Sequence, residues 1–134
     1  MIIKNLYGRE AKVNIYPYLV DWDRVVSKPQ KKVKDAIRAF WTGCCICEEF
    51  KIPSSRLRVD LINFTTKIVV EVSPKGSHDF NEFFHKRKIK FASSKKRDFC
   101  KKEWAEMIGF KYVEISDIDL KDSELIVNKI INDI

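Results

Sequence analysis

Asp60 sits inside an apolar segment, RLRVDLINF, and Glu71 closes the next one, KIVVEVSPKGSH, eleven residues further on. A short hairpin between the two segments would bring the carboxylates side by side. Two hard oxygen ligands, helped by a backbone carbonyl such as that of Val72, suit Mg²⁺ (or Mn²⁺), which keeps several of its waters. Such an ion would polarise a phosphate and lower the pKa of an attacking water. His78 and His85, the only histidines of the chain, follow the second segment. A group that titrates near neutrality suits general-base work on water. Asp98 is the only acid between Glu82 and Glu103 and is surrounded by lysines and arginine. It either pairs locally on a helix surface or orients a histidine or a metal-bound water. Acids for a metal, imidazoles for proton transfer and cations for phosphate together fit hydrolysis of a phosphodiester.

The cations form one run: Lys86, Arg87, Lys88, Lys90, Lys95, Lys96, Arg97, Lys101 and Lys102, nine basic residues in seventeen. The run hardly alternates in sign, so it is not the pattern of i,i+4 pairs on a solvated helix. Neutralising phosphates releases counterions, so this cluster should bind duplex DNA in a salt-dependent way. The whole chain carries a formal charge of +7, which favours a polyanionic partner. With 134 residues, 45% of them hydrophobic, the chain is one domain with a real core and not a disordered one. No apolar run approaches the ~20 residues of a membrane helix, and no signal peptide opens the sequence. The expectation is a soluble cytoplasmic protein. Cys44, Cys45, Cys47 and Cys100 lack zinc-knuckle spacing and read as reduced, partly buried thiols.

The elements that must position these residues follow from periodicity. Residues 1–28, loosely alternating around Gly8 and Pro17, read as a hairpin or extended arm. Ser27 is a candidate N-cap ahead of Pro29. Val33, Ala36, Ile37, Phe40, Trp41, Cys44 and Cys47 recur with helical spacing, which predicts a helix ending near Phe50. In the first strand, Leu57, Val59 and Leu61 should share one face, with Arg58, Asp60 and Ile62 on the other. FTTK turns the chain back into KIVVEV, a central strand. A second helix is expected over about 93–108, closed by Gly109. KYVEI is then a strand parallel to its neighbour, and a last helix follows Asp122 or Ser123. The fold class is α/β (α+β), a central mixed β-sheet flanked by helices, with residues 29–116 as core and 117–134 as a C-terminal helix.

Residues from about 28 to 116 resemble the very-short-patch-repair branch of the PD-(D/E)XK nucleases, and most closely the phage homing endonucleases that share a Glu-Asp-X-His-Asp site. CEEF, the Asp60 strand, EVSPKGSH, NEFFH, KKRD and GFKYVEI carry the likeness. It implies a PD-(D/E)XK-type core, a phage or mobile-element origin and Asp60 as central metal ligand. The Val72 carbonyl would fill the X position, His78 or His85 would be the histidine and Asp98 the last aspartate. For the leading Glu, Glu49 and Glu48 fit the end of the expected helix, while Asp35 lies earlier in it. Ser73 stands where the wider superfamily carries lysine, which favours a histidine mechanism, although Lys75 is close in sequence.

The expectation is therefore a Mg²⁺-dependent, site-specific DNA endonuclease acting on double-stranded DNA, as a monomer or a homodimer. Residues 1–28 and the loop at 51–56 would supply sequence readout. Two rivals stand beside it: a mismatch- or junction-specific repair nuclease, and a DNA-binding module without catalysis.

Overall fold

Four apolar, β-branched segments make the central sheet: β3 (Ile46–Lys51), β4 (Arg58–Asn63), β5 (Ile68–Val72) and β6 (Lys111–Ile115), in that spatial order. They follow a small N-terminal hairpin of β1 (Ile2–Lys4) and β2 (Glu10–Lys12). In this computed structural model the backbone is described for residues 1–73 and 84–132, and side chains for these apart from 84–95 and 132. β3, β4 and β5 run antiparallel in sequence, and β6 joins β5 in parallel, as the KYVEI reading anticipated. The chain is thus mixed α/β, with a four-stranded mixed sheet covered by helices.

α1 (Lys28–Ile37) starts as its sequence dictates, with the Ser27 hydroxyl accepting from Gln30 N–H and proline in the first turn. It stops well short of Phe50. Gly43 takes a positive φ of 83°, and CEEF belongs to β3, a strand. The expected helix to Phe50 is corrected here. Trp41, Cys44 and Cys47 satisfy a helical period, but Ile46, Cys47 and Phe50 bury themselves fully only by joining the sheet. All four cysteines are free, and burial pushes the Cys47 thiol up to about 12, so it stays protonated.

α2 (Phe84–Met107) begins earlier than periodicity suggested and ends at Gly109, φ 81°. Phe110 N–H closes its last turn by bonding back to the Ala105 carbonyl. After β6 come two short helices, α3 (Asp117–Leu120), missed in the sequence, and α4 (Ser123–Val127), capped by Asp122. A π-helical turn over Asn128–Asn132 continues α4.

Two hydrophobic layers sandwich the sheet. On one side Val33, Ile37 and Trp41 meet Leu61, Val70, Val113, Ile126 and Ile130. On the other, Trp104 of α2 and Ile3 of the hairpin cover Cys47, Phe50, Val59, Ile62 and Val69. The hairpin is fastened to that layer. Trp104 Nε1 donates to the Lys4 carbonyl at 2.9 Å, and Leu6 N–H donates to Pro53 at 3.0 Å. No helix among the described residues is long and apolar enough to cross a membrane.

The pleat breaks in one place, and the break matters. Val59 and Leu61, expected on one face, pack in opposite layers. Across from them Ile46 and Phe50 change sides in the same way. Between the two changes lie Glu49 and Asp60, facing positions in the β3–β4 register that form no ladder pair. Glu49 has φ 50°, a left-handed conformation that non-glycine residues rarely adopt. Such irregularities re-aim side chains, and here they turn Asp60 and Glu49 into a common cleft.

Candidate active site

The β4–β5 ladder runs from Asn63↔Ile68 to Leu61↔Val70 and ends there. The next facing pair is Asp60 and Glu71, where the side chains take over the main-chain hydrogen bonding. Asp60 N–H donates to Glu71 Oε1 at 2.9 Å, and Val72 N–H donates to Asp60 Oδ2 at 2.8 Å. Each carboxylate thereby satisfies a backbone amide of the opposite strand and keeps a second oxygen for another partner. Lys101, reaching in from α2, takes that place on Glu71, with Nζ 3.2 Å from Oε2.

Asp60 is half-buried and Glu71 almost completely buried. Burial is the main reason that Asp60 rises to about 6. The Val72 amide and Lys101 oppose the rise, while Glu49 and Asp98 add to it. Glu71 rises further, to about 8, first through burial and then through the nearby Asp60 charge, against the pull of Lys101. Two carboxylates kept from ionising by their surroundings gain most from a cation placed between them.

A cleft of about 440 Å³ opens beside Asp60. Glu49, Asp60 and Asp98 supply its acids, and Arg56, Arg58, Arg97 and Lys101 its cations. Of the three candidates for a leading Glu, only Glu49 lines it. Glu48 points to the opposite layer, where its carboxylate accepts from buried Lys34 at 2.9 Å and from Asp21 N–H. Asp35 is exposed and pairs with Lys31 one turn away on α1. Asp98, on α2, lines the cleft.

The other expected residues divide. His78 lies outside the described residues. His85, Lys86, Arg87, Lys88, Lys90 and Lys95 fall in the early turns of α2, where only the backbone is described. Lys96 and Lys102 are exposed. Lys101 departs from its expected role as a surface phosphate contact: its side chain is 15% exposed and sits on Glu71. The Val72 carbonyl stays beside the pair, since the Val72 amide is bound to Asp60.

Three residues escaped the sequence reading. Arg56 and Arg58 flank the apolar Leu57 and looked like ordinary strand-start polars. Tyr112 lies in the KYVEI strand, and its buried hydroxyl has no hydrogen-bond partner among the described residues. Burial first, then Glu71, Asp98, Glu114 and Asp60, push its pKa far up, so the phenol stays protonated beside the acids. Arg58, expected on the same strand face as Asp60, was the one usable signal.

Compared with family models, with curated proteins and with solved structures, the chain matches none. What the site can do therefore rests on its own geometry.

Proposed function

We propose that this chain is a metal-dependent DNA endonuclease with a PD-(D/E)XK-type core, similar to the very-short-patch-repair and phage homing enzymes. The observation that carries this reading is the reciprocal cross-link of Asp60 and Glu71. It ties Asp60, which lines a cleft rich in cations, to the almost fully buried Glu71 beside it.

The donor set fits a hard divalent ion, because Mg²⁺ needs only one or two carboxylates and fills its shell with water and substrate phosphate. A cation, the Lys101 ammonium, already contacts one of those oxygens. Asp60 and Glu71 would hold the metal with the Val72 carbonyl beside them. When bound, the ion would polarise the scissile phosphate and lower the pKa of water at the site. Arg56, Arg58 and Arg97 would hold the DNA backbone against the cleft, joined by the exposed Lys96 and Lys102 of α2. Asp98 and Glu49 would accept hydrogen bonds from the attacking water. His78 or His85 would take its proton. The N-terminal hairpin and the neighbouring 51–56 loop stand on the same side as the α2 layer and would read sequence, since phosphate contacts carry none.

Because Asp60 Oδ2 is also a backbone acceptor, Asp60→Asn tests the chemistry better than Asp60→Ala. The amide can still accept from Val72 N–H. Cleavage of phage and plasmid DNA in Mg²⁺ should fall by roughly two orders of magnitude or more in Asp60→Asn, and should vanish with EDTA. Retained cleavage in that variant would remove the assignment.

One observation favours a second reading. The acids already serve the fold by satisfying amides at the end of a ladder, and Lys101 already neutralises Glu71. A DNA-binding module that keeps this cross-link for stability would bind DNA normally and yield no metal-dependent product.

A further inference from the structure

We propose that the Lys101 ammonium is an internal stand-in for the metal ion, and that a divalent cation binds only by displacing it from Glu71. This inference rests on the metal-dependent reading above and adds how its site is held ready.

Three of the four relevant oxygen positions decide the matter. Asp60 Oδ2 and Glu71 Oε1 are committed to the Val72 and Asp60 amides, at 2.8 and 2.9 Å. Each of these two oxygens has one lone pair already taken, so the remaining oxygen of each acid is the freest position for a cation. Lys101 Nζ already sits 3.2 Å from the one on Glu71, and its charge also acts on Asp60. With Lys101 15% and Glu71 4% exposed at the side chain, water screens this pair poorly. An ammonium and a divalent ion on the same oxygen would repel each other strongly in so dry a place.

Displacement is mechanically simple. Lysine is a compact charge on a flexible four-carbon stem, and α2 holds its Cα at the cleft wall. The released head stays inside the cleft, where Asp98, one turn away on α2, and Glu49 are the anions it can turn to. The acid pair is thus kept aligned before the metal arrives, at the expense of metal affinity.

The test is direct Mn²⁺ binding to the full chain at a single pH of about 8.5, above the values to which both acids rise, followed by the electron spin resonance signal of free Mn²⁺. Lys101→Met keeps the stem and removes the charge, and it should bind Mn²⁺ roughly five- to tenfold more tightly than wild type. Lys101→Arg, which keeps the charge, and Lys102→Met, which removes an exposed one from the same helix, should match wild type. Should Lys101→Met not fold, Lys101→Gln, neutral but still a donor to Glu71, carries the same expectation. Unchanged or weaker affinity in the neutral variant, or an equal gain in Lys102→Met, overturns the exchange. If that result comes while cleavage still requires Asp60, the nuclease reading survives alone. Binding that Asp60→Asn leaves intact, or no binding in any variant, overturns both.

Discussion

At the scale of the residue, the acid pair carries a pH signature that owes nothing to catalysis. In the unfolded chain Asp60 and Glu71 ionise near the ordinary 3.8 and 4.5, whereas in the folded chain they rise to about 6 and about 8. Between those limits the native state binds more protons than the unfolded chain, so stability falls as pH rises. The contribution is complete below about pH 4 and is lost as pH passes through 6 and then 8. Thermal unfolding should show wild type losing stability between pH 5 and 8.5 more steeply than Asp60→Asn/Glu71→Gln, which cannot titrate there. Equal slopes in the two proteins would refute the shifted pair. Elsewhere single residues do the reverse and lock a charge in place. Lys34 is fully buried on Glu48 and also donates to the Asp21 and Arg24 carbonyls, which fixes the 21–24 loop against β3. Removing one partner of such a pair is far more damaging than removing both.

At the scale of the element, the break in the pleat at Glu49 and Asp60 is what makes the site. A regular β3–β4 ladder would send Glu49 and Asp60 out on one flat face, and Phe50 and Val59 to the wrong layer. The left-handed backbone at Glu49 stores strain of roughly 1 kcal/mol that glycine would not feel. Glu49→Gly should therefore raise stability to urea by about that amount, while Glu49→Ala should not. If the proposed function holds, the stabilised variant loses cleavage, since the cleft loses an acid. A glycine variant no more stable than the alanine one would show that φ 50° is not strained. The two elements nearest the break were read with unequal success. The β4–β5 hairpin was legible because FTTK is a local turn between two apolar runs, which put Asp60 beside Glu71 by counting alone. β3 was not legible. Helical spacing from Val33 through Cys47 competes with strand spacing over short apolar runs, and only Gly43 marked the change.

At the scale of the whole molecule, the +7 charge becomes meaningful through where it lies. Arg56 and Arg58 on the sheet side face Arg97 and Lys101 on α2 across one cleft, so cations from distant parts of the sequence form a single rim. If the chain binds DNA as proposed, the logarithm of affinity should fall linearly with the logarithm of salt concentration, and Arg58→Ala should shrink the slope by about 0.9 if Arg58 meets one phosphate. A slope that is the same in both proteins would place Arg58 outside the interface. Measured without a divalent ion, Lys101→Met should leave that slope nearly unchanged, because Lys101 is then engaged with Glu71.

By itself the sequence determined the parts that depend on neighbours in the chain. These are the Ser27 cap, the β4–β5 hairpin with its two acids, the strand KYVEI after Gly109, and the surplus of positive charge. Local sterics and periodicity act over a few residues, so they can be read there. Tertiary structure alone decided that Glu49 and not Glu48 or Asp35 enters the cleft. It also decided that Lys101 faces inward, and that Arg56, Arg58 and Tyr112 join the same neighbourhood. Those outcomes depend on which strand, helix and loop faces meet in space, and spacing over a few residues does not encode that meeting.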